Sequence, residues 1–197
     1  AAMNILTICV WLAAISAEPA TNATAVLRAG GLSALPTEVA EDIPLANPGF
    51  EQQWEGWKPA EAQAFSIVSA EGTARSGQNC VRLDCGQTTQ YSASLRQPLP
   101  EVGPGVYILR FWIKSRDLGG EKKATSVARV SIEYLLADGT RSWPSTQVFR
   151  GTRDWTAEEL KVVIPAEVKP GSVTISLHRY GGADGGEAWF DDLQLAF

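Results

Sequence analysis

An all-β sandwich or barrel is the fold class this sequence predicts, and three observations predict it. From Asn47 onward, short apolar segments alternate with turn residues at roughly 8–15-residue spacing, the rhythm of antiparallel strands. No stretch of that region carries the 3.6-residue period of an amphipathic helix. The closing residues, Glu187 to Phe197, read as a final strand with two adjacent carboxylates, Asp191 and Asp192, among apolar neighbours.

The predicted strands, in order, are Gln63–Ala70, Asn79–Cys85, Gln90–Pro98, Val106–Ser115, Ser126–Ala137, Thr146–Phe149, Glu158–Ile164, Ser172–Tyr180 and Ala188–Phe197. Turn chemistry separates them at Ser76-Gly77, Gly103-Pro104-Gly105, Gly119-Gly120, Lys169-Pro170-Gly171 and the glycine-rich run Gly181 to Gly186. Asp138-Gly139, between Leu136 and Arg141, is the strongest hairpin signal.

Alternation assigns faces, because successive strand side chains point to opposite sides. Tyr107, Leu109, Phe111 and Ile113 form one inward series; Ala128, Val130, Ile132, Tyr134 and Leu136 a second; Val173, Ile175 and Leu177 a third. If these strands share one sheet, its other face carries Trp112, Arg129, Glu133, His178 and Tyr180. Such a mixture of aromatic and hydrogen-bonding groups suits a sugar or a protein surface, although a polar outer face is also the default of an antiparallel sheet.

Composition narrows the function classes. With 17 basic against 22 acidic residues and no basic cluster beyond Lys122-Lys123, a polyanion such as nucleic acid is not an expected partner. His178 is the only histidine, which leaves no second imidazole for a zinc site and no local nucleophile arrangement. The Gly181 to Gly186 run lacks a phosphate-cradling pattern followed by a helix. Catalysis is therefore not expected. Cys80 and Cys85, five apart on one predicted strand, lie roughly 16 Å apart if extended, too far for a disulfide.

Ahead of the sandwich, residues 1–17 hold an apolar run that includes Ile5, Leu6, Ile8, Val10, Trp11 and Leu12. It resembles the apolar core of a signal peptide but no Lys or Arg precedes it, and it is short for a bilayer-crossing helix, which needs about 20 residues. The expectation is an anchor to a membrane or to partner helices, or a cleaved leader. Residues 18–46, rich in Ala, Thr, Pro and Gly, read as an extended tether, and 47–197 as the folded module.

Several short motifs recur in one order: Asn47-Pro48-Gly49-Phe50-Glu51 with Gly56-Trp57, Ala74-Arg75-Ser76-Gly77 leading into Val81-Arg82-Leu83, Pro104-Gly105-Val106-Tyr107 before Phe111-Trp112-Ile113-Lys114, Asp154-Trp155, and Trp189-Phe190-Asp191-Asp192-Leu193. This series resembles the galactose-binding-like jelly-roll carbohydrate-binding modules. The resemblance implies a two-sheet antiparallel jelly roll with a structural calcium near the joined ends. Glu51 and Asp191 would be its side-chain ligands, with backbone oxygens near Gly49 and Ser76; the alternative is that Glu51 is a surface residue and Asp192 the buried, backbone-bonded carboxylate. Trp57 and Trp155 match positions that pack structurally in such modules, and Trp112, Trp143 and Tyr180 are the aromatics available for a glycan.

Three functions follow as expectations. The first is a non-catalytic, extracytoplasmic subunit, periplasmic or at the cell surface, that docks on a membrane-associated assembly through its N-terminal segment. The second is recognition of a cell-surface or extracellular glycan. The third is a self-associating surface-layer or adhesive subunit.

Overall fold

The structure is a computed structural model, and it describes residues 41–84, 92–119, 126–181 and 185–197. The anchor residues Ile5, Leu6, Ile8, Val10, Trp11 and Leu12, most of the tether, and Cys85 lie outside the described residues. Among the described residues, no helix is long and apolar enough to cross a membrane.

Among the described residues, eleven strands form two antiparallel sheets: β1 (Asp42–Ile43), β2 (Lys58–Pro59), β3 (Phe65–Val68), β4 (Cys80–Asp84), β5 (Ser92–Pro98), β6 (Gly105–Leu118), β7 (Val127–Leu135), β8 (Arg141–Ser142), β9 (Gly151–Ile164), β10 (Thr174–Tyr180) and β11 (Glu187–Ala196). One sheet runs β3-β4-β11-β6-β9, with β1 also pairing to β11; the other runs β2-β5-β10-β7-β8. The alternating apolar series face each other between the sheets. Leu109, Phe111, Ile113, Phe190 and Leu195 from the first sheet join Leu95, Val130, Ile132, Ile175 and Leu177 from the second in one buried cluster. Each such side chain contributes roughly 1.5–3 kcal/mol when withdrawn from water, so the inward series is what makes the sandwich close.

Three details correct the sequence reading. Residues 41–46, expected to end the tether, belong to the sandwich. Asp42 and Ile43 pair with Ala196 and Leu195, and Glu41 and Phe197 exchange backbone hydrogen bonds of 3.2 and 2.8 Å. The expected strand Thr146–Phe149 makes only isolated bridges: Pro144 supplies no N–H, and the segment runs along β7 through the bonds Thr146 N–H to Val130 O and Phe149 N–H to Ala128 O. Finally, Trp112 does not share a sheet with Arg129, Glu133, His178 and Tyr180. It sits on β6 in the first sheet, where the Arg75 guanidinium lies 4.0 Å from its ring centroid.

A bulge in β11 sets the geometry of the carboxylate pair. The register against β6 shifts between Asp191 and Gln194, and Asp192 takes φ +48°. The extra residue lets Phe190 and Leu193 both enter the core, where strict alternation would have sent Asp192 inward. The Asp138-Gly139 hairpin forms as predicted, with Gly139 at φ +86°, Thr140 N–H donating to Asp138 Oδ1 at 2.8 Å, and Leu136 N–H donating to Thr140 O at 2.8 Å.

Candidate functional site

The outer face of the second sheet carries a cavity of about 260 Å³. Neighbouring strands build its floor in cross-strand rows: Arg96 of β5 lies opposite Ser176 of β10, which lies opposite Ser131 of β7, and the next row is Ser94, His178 and Arg129. Tyr180 and Ser92 follow, while Arg141 of β8 and Trp143 and Ser145 beyond it form a wall. Arg129, Glu133, Trp143, His178 and Tyr180, all expected from alternation or loop position, therefore meet at one site. Arg96, Arg141 and the serines were not anticipated. Arg96 was legible in principle, since β5 alternates Ala93, Leu95 and Gln97 inward against Ser94 and Arg96 outward.

Glu133 and His178 are buried although they point away from the core, packed against each other and against Arg96, Ser131 and Tyr180. His178 Nε2 lies 3.2 Å from Glu133 Oε1 and 2.7 Å from Ser131 Oγ. Arg96 stands 3.6 Å from the other Glu133 oxygen. The hydrogen bond from His178 foremost, with the charge of Arg96 added, holds the Glu133 carboxyl down at about 2 against the opposing effect of burial. Ser131 and Glu133 converge on the same imidazole nitrogen. A nucleophile-base-acid relay needs the two partners on opposite nitrogens, so this trio is a hydrogen-bonded floor and not an activated serine.

Aromatic groups complete the site. The His178 and Tyr180 rings stack with centroids 5.6 Å apart, and the Arg129 guanidinium lies 5.1 Å from the Tyr180 centroid while donating to its hydroxyl at 3.0 Å. Trp143 is 56% exposed at the rim. Such a face can stack the flat side of a sugar ring and bond its hydroxyls.

The predicted calcium ligands lie elsewhere, at the seam between the N-terminal motif and β11. Asp191 is fully buried: Oδ2 accepts from Arg75 N–H at 2.9 Å and Ser76 N–H at 3.2 Å, and Oδ1 from Asp192 N–H at 2.8 Å. Glu51 Oε1 accepts from Gln78 N–H at 2.9 Å and Asn79 N–H at 3.0 Å. Asp191, not Asp192, is thus the buried carboxylate; Asp192 is half-buried and accepts from Ser76 Oγ at 2.6 Å. Glu51 and Asp191 grip one loop through its backbone amides. No cationic side chain pairs with Asp191 among the described residues, and burial pushes its carboxyl up to about 6 despite the three N–H donors. A hard cation would relieve that strain, and the oxygen donors suit calcium. No third His, Cys, Asp or Glu joins the two among the described residues, so backbone carbonyls would have to complete the set.

Gly77 makes the seam possible. At φ +59° it brings the loop so close to Glu51 that a Cβ would lie 2.2 Å from Oε1. Gly77→Ala should strain the backbone and push Glu51 off its two amides, costing about 1–3 kcal/mol in urea unfolding; an unchanged midpoint would show that Glu51 moves freely. Trp57 is buried in the core and its Nε1 donates to Asn47 O at 3.1 Å; Trp155 is half-buried and its Nε1 donates to Thr73 O at 3.2 Å. Cys80 is buried, its thiol pushed up to about 12 chiefly by desolvation, and is inert.

No protein-family model and no curated protein matches the sequence. Solved structures do match its fold. A family 16 carbohydrate-binding module superposes with TM-score 0.59 at 22% identity, over 76% of this chain and 96% of the module. The family 22 xylan-binding domain of Paenibacillus barcinonensis Xyn10C gives 0.52 at 12% identity, over 72% and 85%. The Clostridium thermocellum Xyn10B family 22 and GH10 modules, complexed with xylohexaose, give 0.53 at 15% identity, over 80% of this chain and 28% of that one. With its two antiparallel sheets, the chain has a β-sandwich fold similar to that of these carbohydrate-binding modules.

Proposed function

We propose that the chain is a non-catalytic glycan-binding module whose ligand lies in the cavity on the second sheet. The observation that carries the reading is the convergence there of Trp143 and Tyr180 with Arg96, Glu133, His178 and five serine and arginine neighbours, a stacking surface beside hydrogen-bonding groups. The fold it shares with modules named for xylan binding supports the same reading over the docking of a membrane-associated assembly. An extracytoplasmic site of action, periplasmic or at the cell surface, is part of the same proposal.

A structural calcium is the second part of the proposal. Glu51 and Asp191 would hold it, with carbonyls near Gly49 and Ser76, and it would neutralise a buried charge where the two ends of the fold meet.

A glycan array followed by titration calorimetry tests the binding reading. Binding should appear, and Trp143→Ala, at an exposed position where folding does not depend on the ring, should weaken it at least about tenfold. Absence of any bound glycan, or full affinity in Trp143→Ala, would remove the cavity as the site.

A further inference from the structure

The cavity has a charge the rest of the protein does not share. Arg96, Arg129 and Arg141, from three different strands, line it together with a single carboxylate, Glu133. That carboxylate is already engaged by His178 at 3.2 Å and Arg96 at 3.6 Å. Elsewhere in this acidic chain four arginines hold carboxylates: Arg82 and Arg116 both bind Glu187, Arg110 pairs with Glu159, and Arg153 with Glu158. Among the described residues, neither Arg129 nor Arg141 has an acidic partner. Moreover, the Nε–H groups of Arg96 and Arg129 are buried and meet no acceptor among the described residues. The site therefore offers positive charge and N–H donors in excess of its one, already engaged, carboxylate.

A neutral sugar hydroxyl presents a donor for every pair of acceptor sites, so it answers that excess only in part. A carboxylate presents acceptors alone, in a plane that a guanidinium matches with two parallel bonds. Resting on the glycan reading above, we infer that the preferred ligand is an acidic saccharide, with a uronate carboxylate seated among Arg96, Arg129 and Arg141 while an adjacent ring stacks on Trp143 or Tyr180.

Calorimetry with three probes tests this: tetragalacturonate, the same tetrasaccharide fully methyl-esterified, and xylohexaose. The free acid should bind about tenfold or more tightly than its ester at low salt, because a charge-assisted bidentate bond is lost on esterification. The gap should narrow at about 0.5 M NaCl, where screening is short-ranged. Arg141→Gln, at an exposed position, and Arg129→Gln should each bring acid and ester closer together, with melting temperatures recorded to show that the sandwich persists. If acid and ester bind alike, or only xylohexaose binds, the charge inference falls and the glycan reading stands. If the acid is preferred but neither arginine variant changes the preference, the inferred seat is wrong. If none of the three binds and the array is also blank, both readings fall.

Discussion

Arg179→Met should lower the melting temperature by on the order of 10 °C. Arg179 is wholly buried at the end of β10, on the same side of the strand as Val173, Ile175 and Leu177. Its guanidinium donates to the carbonyls of Tyr180, Gly181, Gly185 and Gly186 and to Ser126 Oγ, at 3.3 Å from Nε to Gly186 O and 2.9 Å from the terminal nitrogen to Ser126 Oγ. One side chain thereby satisfies the backbone on both sides of the glycine-rich connection between β10 and β11. Methionine preserves most of the volume and removes every donor. Several buried carbonyls then lack partners at about 1–3 kcal/mol each, for a total near 3–5 kcal/mol, and at this chain length each kcal/mol is worth roughly 2–4 °C. Thermal unfolding followed by circular dichroism reads the effect, with Arg179→Lys expected to lie between wild type and Arg179→Met. A fall of less than about 2 °C in the methionine variant would mean that water replaces the guanidinium without loss.

Stability should also depend on pH from two directions, one for each displaced carboxyl. Asp191 has a folded pKa of about 6 against an ordinary 3.8, so it binds its proton more tightly in the folded state. Its stabilising contribution is complete below about 3.8 and is lost as pH rises through about 6. Glu133 is held near 2 against 4.5, so its contribution is complete above about 4.5 and is lost as pH falls toward 2. A difference of about two pH units in proton affinity corresponds to ~3 kcal/mol for each group, and the two limbs meet near pH 4. Urea unfolding in calcium-free buffer from pH 2 to 8 should show both. Asp191→Asn should flatten the limb above pH 4, and Glu133→Gln the limb below it. Saturating calcium should flatten the upper limb of the wild-type protein as well, because a bound cation favours the ionised carboxylate. An upper limb indifferent to both the substitution and the ion would mean that Asp191 titrates as an ordinary surface acid.

Much of the sandwich was legible because one face of each strand is buried. The series through Tyr107, Val130 and Ile175 has the period of two that burial imposes, and all three turn inward as alternation requires. The same parity placed Arg129, Glu133, His178 and Tyr180 outward, and the structure brings them together. Parity says nothing about which strands are neighbours, which is why Trp112 was grouped with them although β6 belongs to the other sheet. Two-residue strands such as β1, β2 and β8 are too short to carry a period at all. Arg179 illustrates a signal that was present but unread: it falls in phase with Val173, Ile175 and Leu177, and a basic residue in an apolar phase must meet buried acceptors. The carboxylate seam was legible as a demand for partners, yet only the fold shows that backbone amides from Arg75 to Asn79 meet part of it.

The mutual backbone bonds between Glu41 and Phe197 have a mechanical consequence. Tension applied across those two residues would act at a single point and open the β1–β11 pairing one rung at a time, as a zipper does, instead of shearing all rungs together. Because β1 contributes only two residues to that pairing, little work is needed to free it, while the second sheet, which holds neither β1 nor β11, would carry none of the initial load.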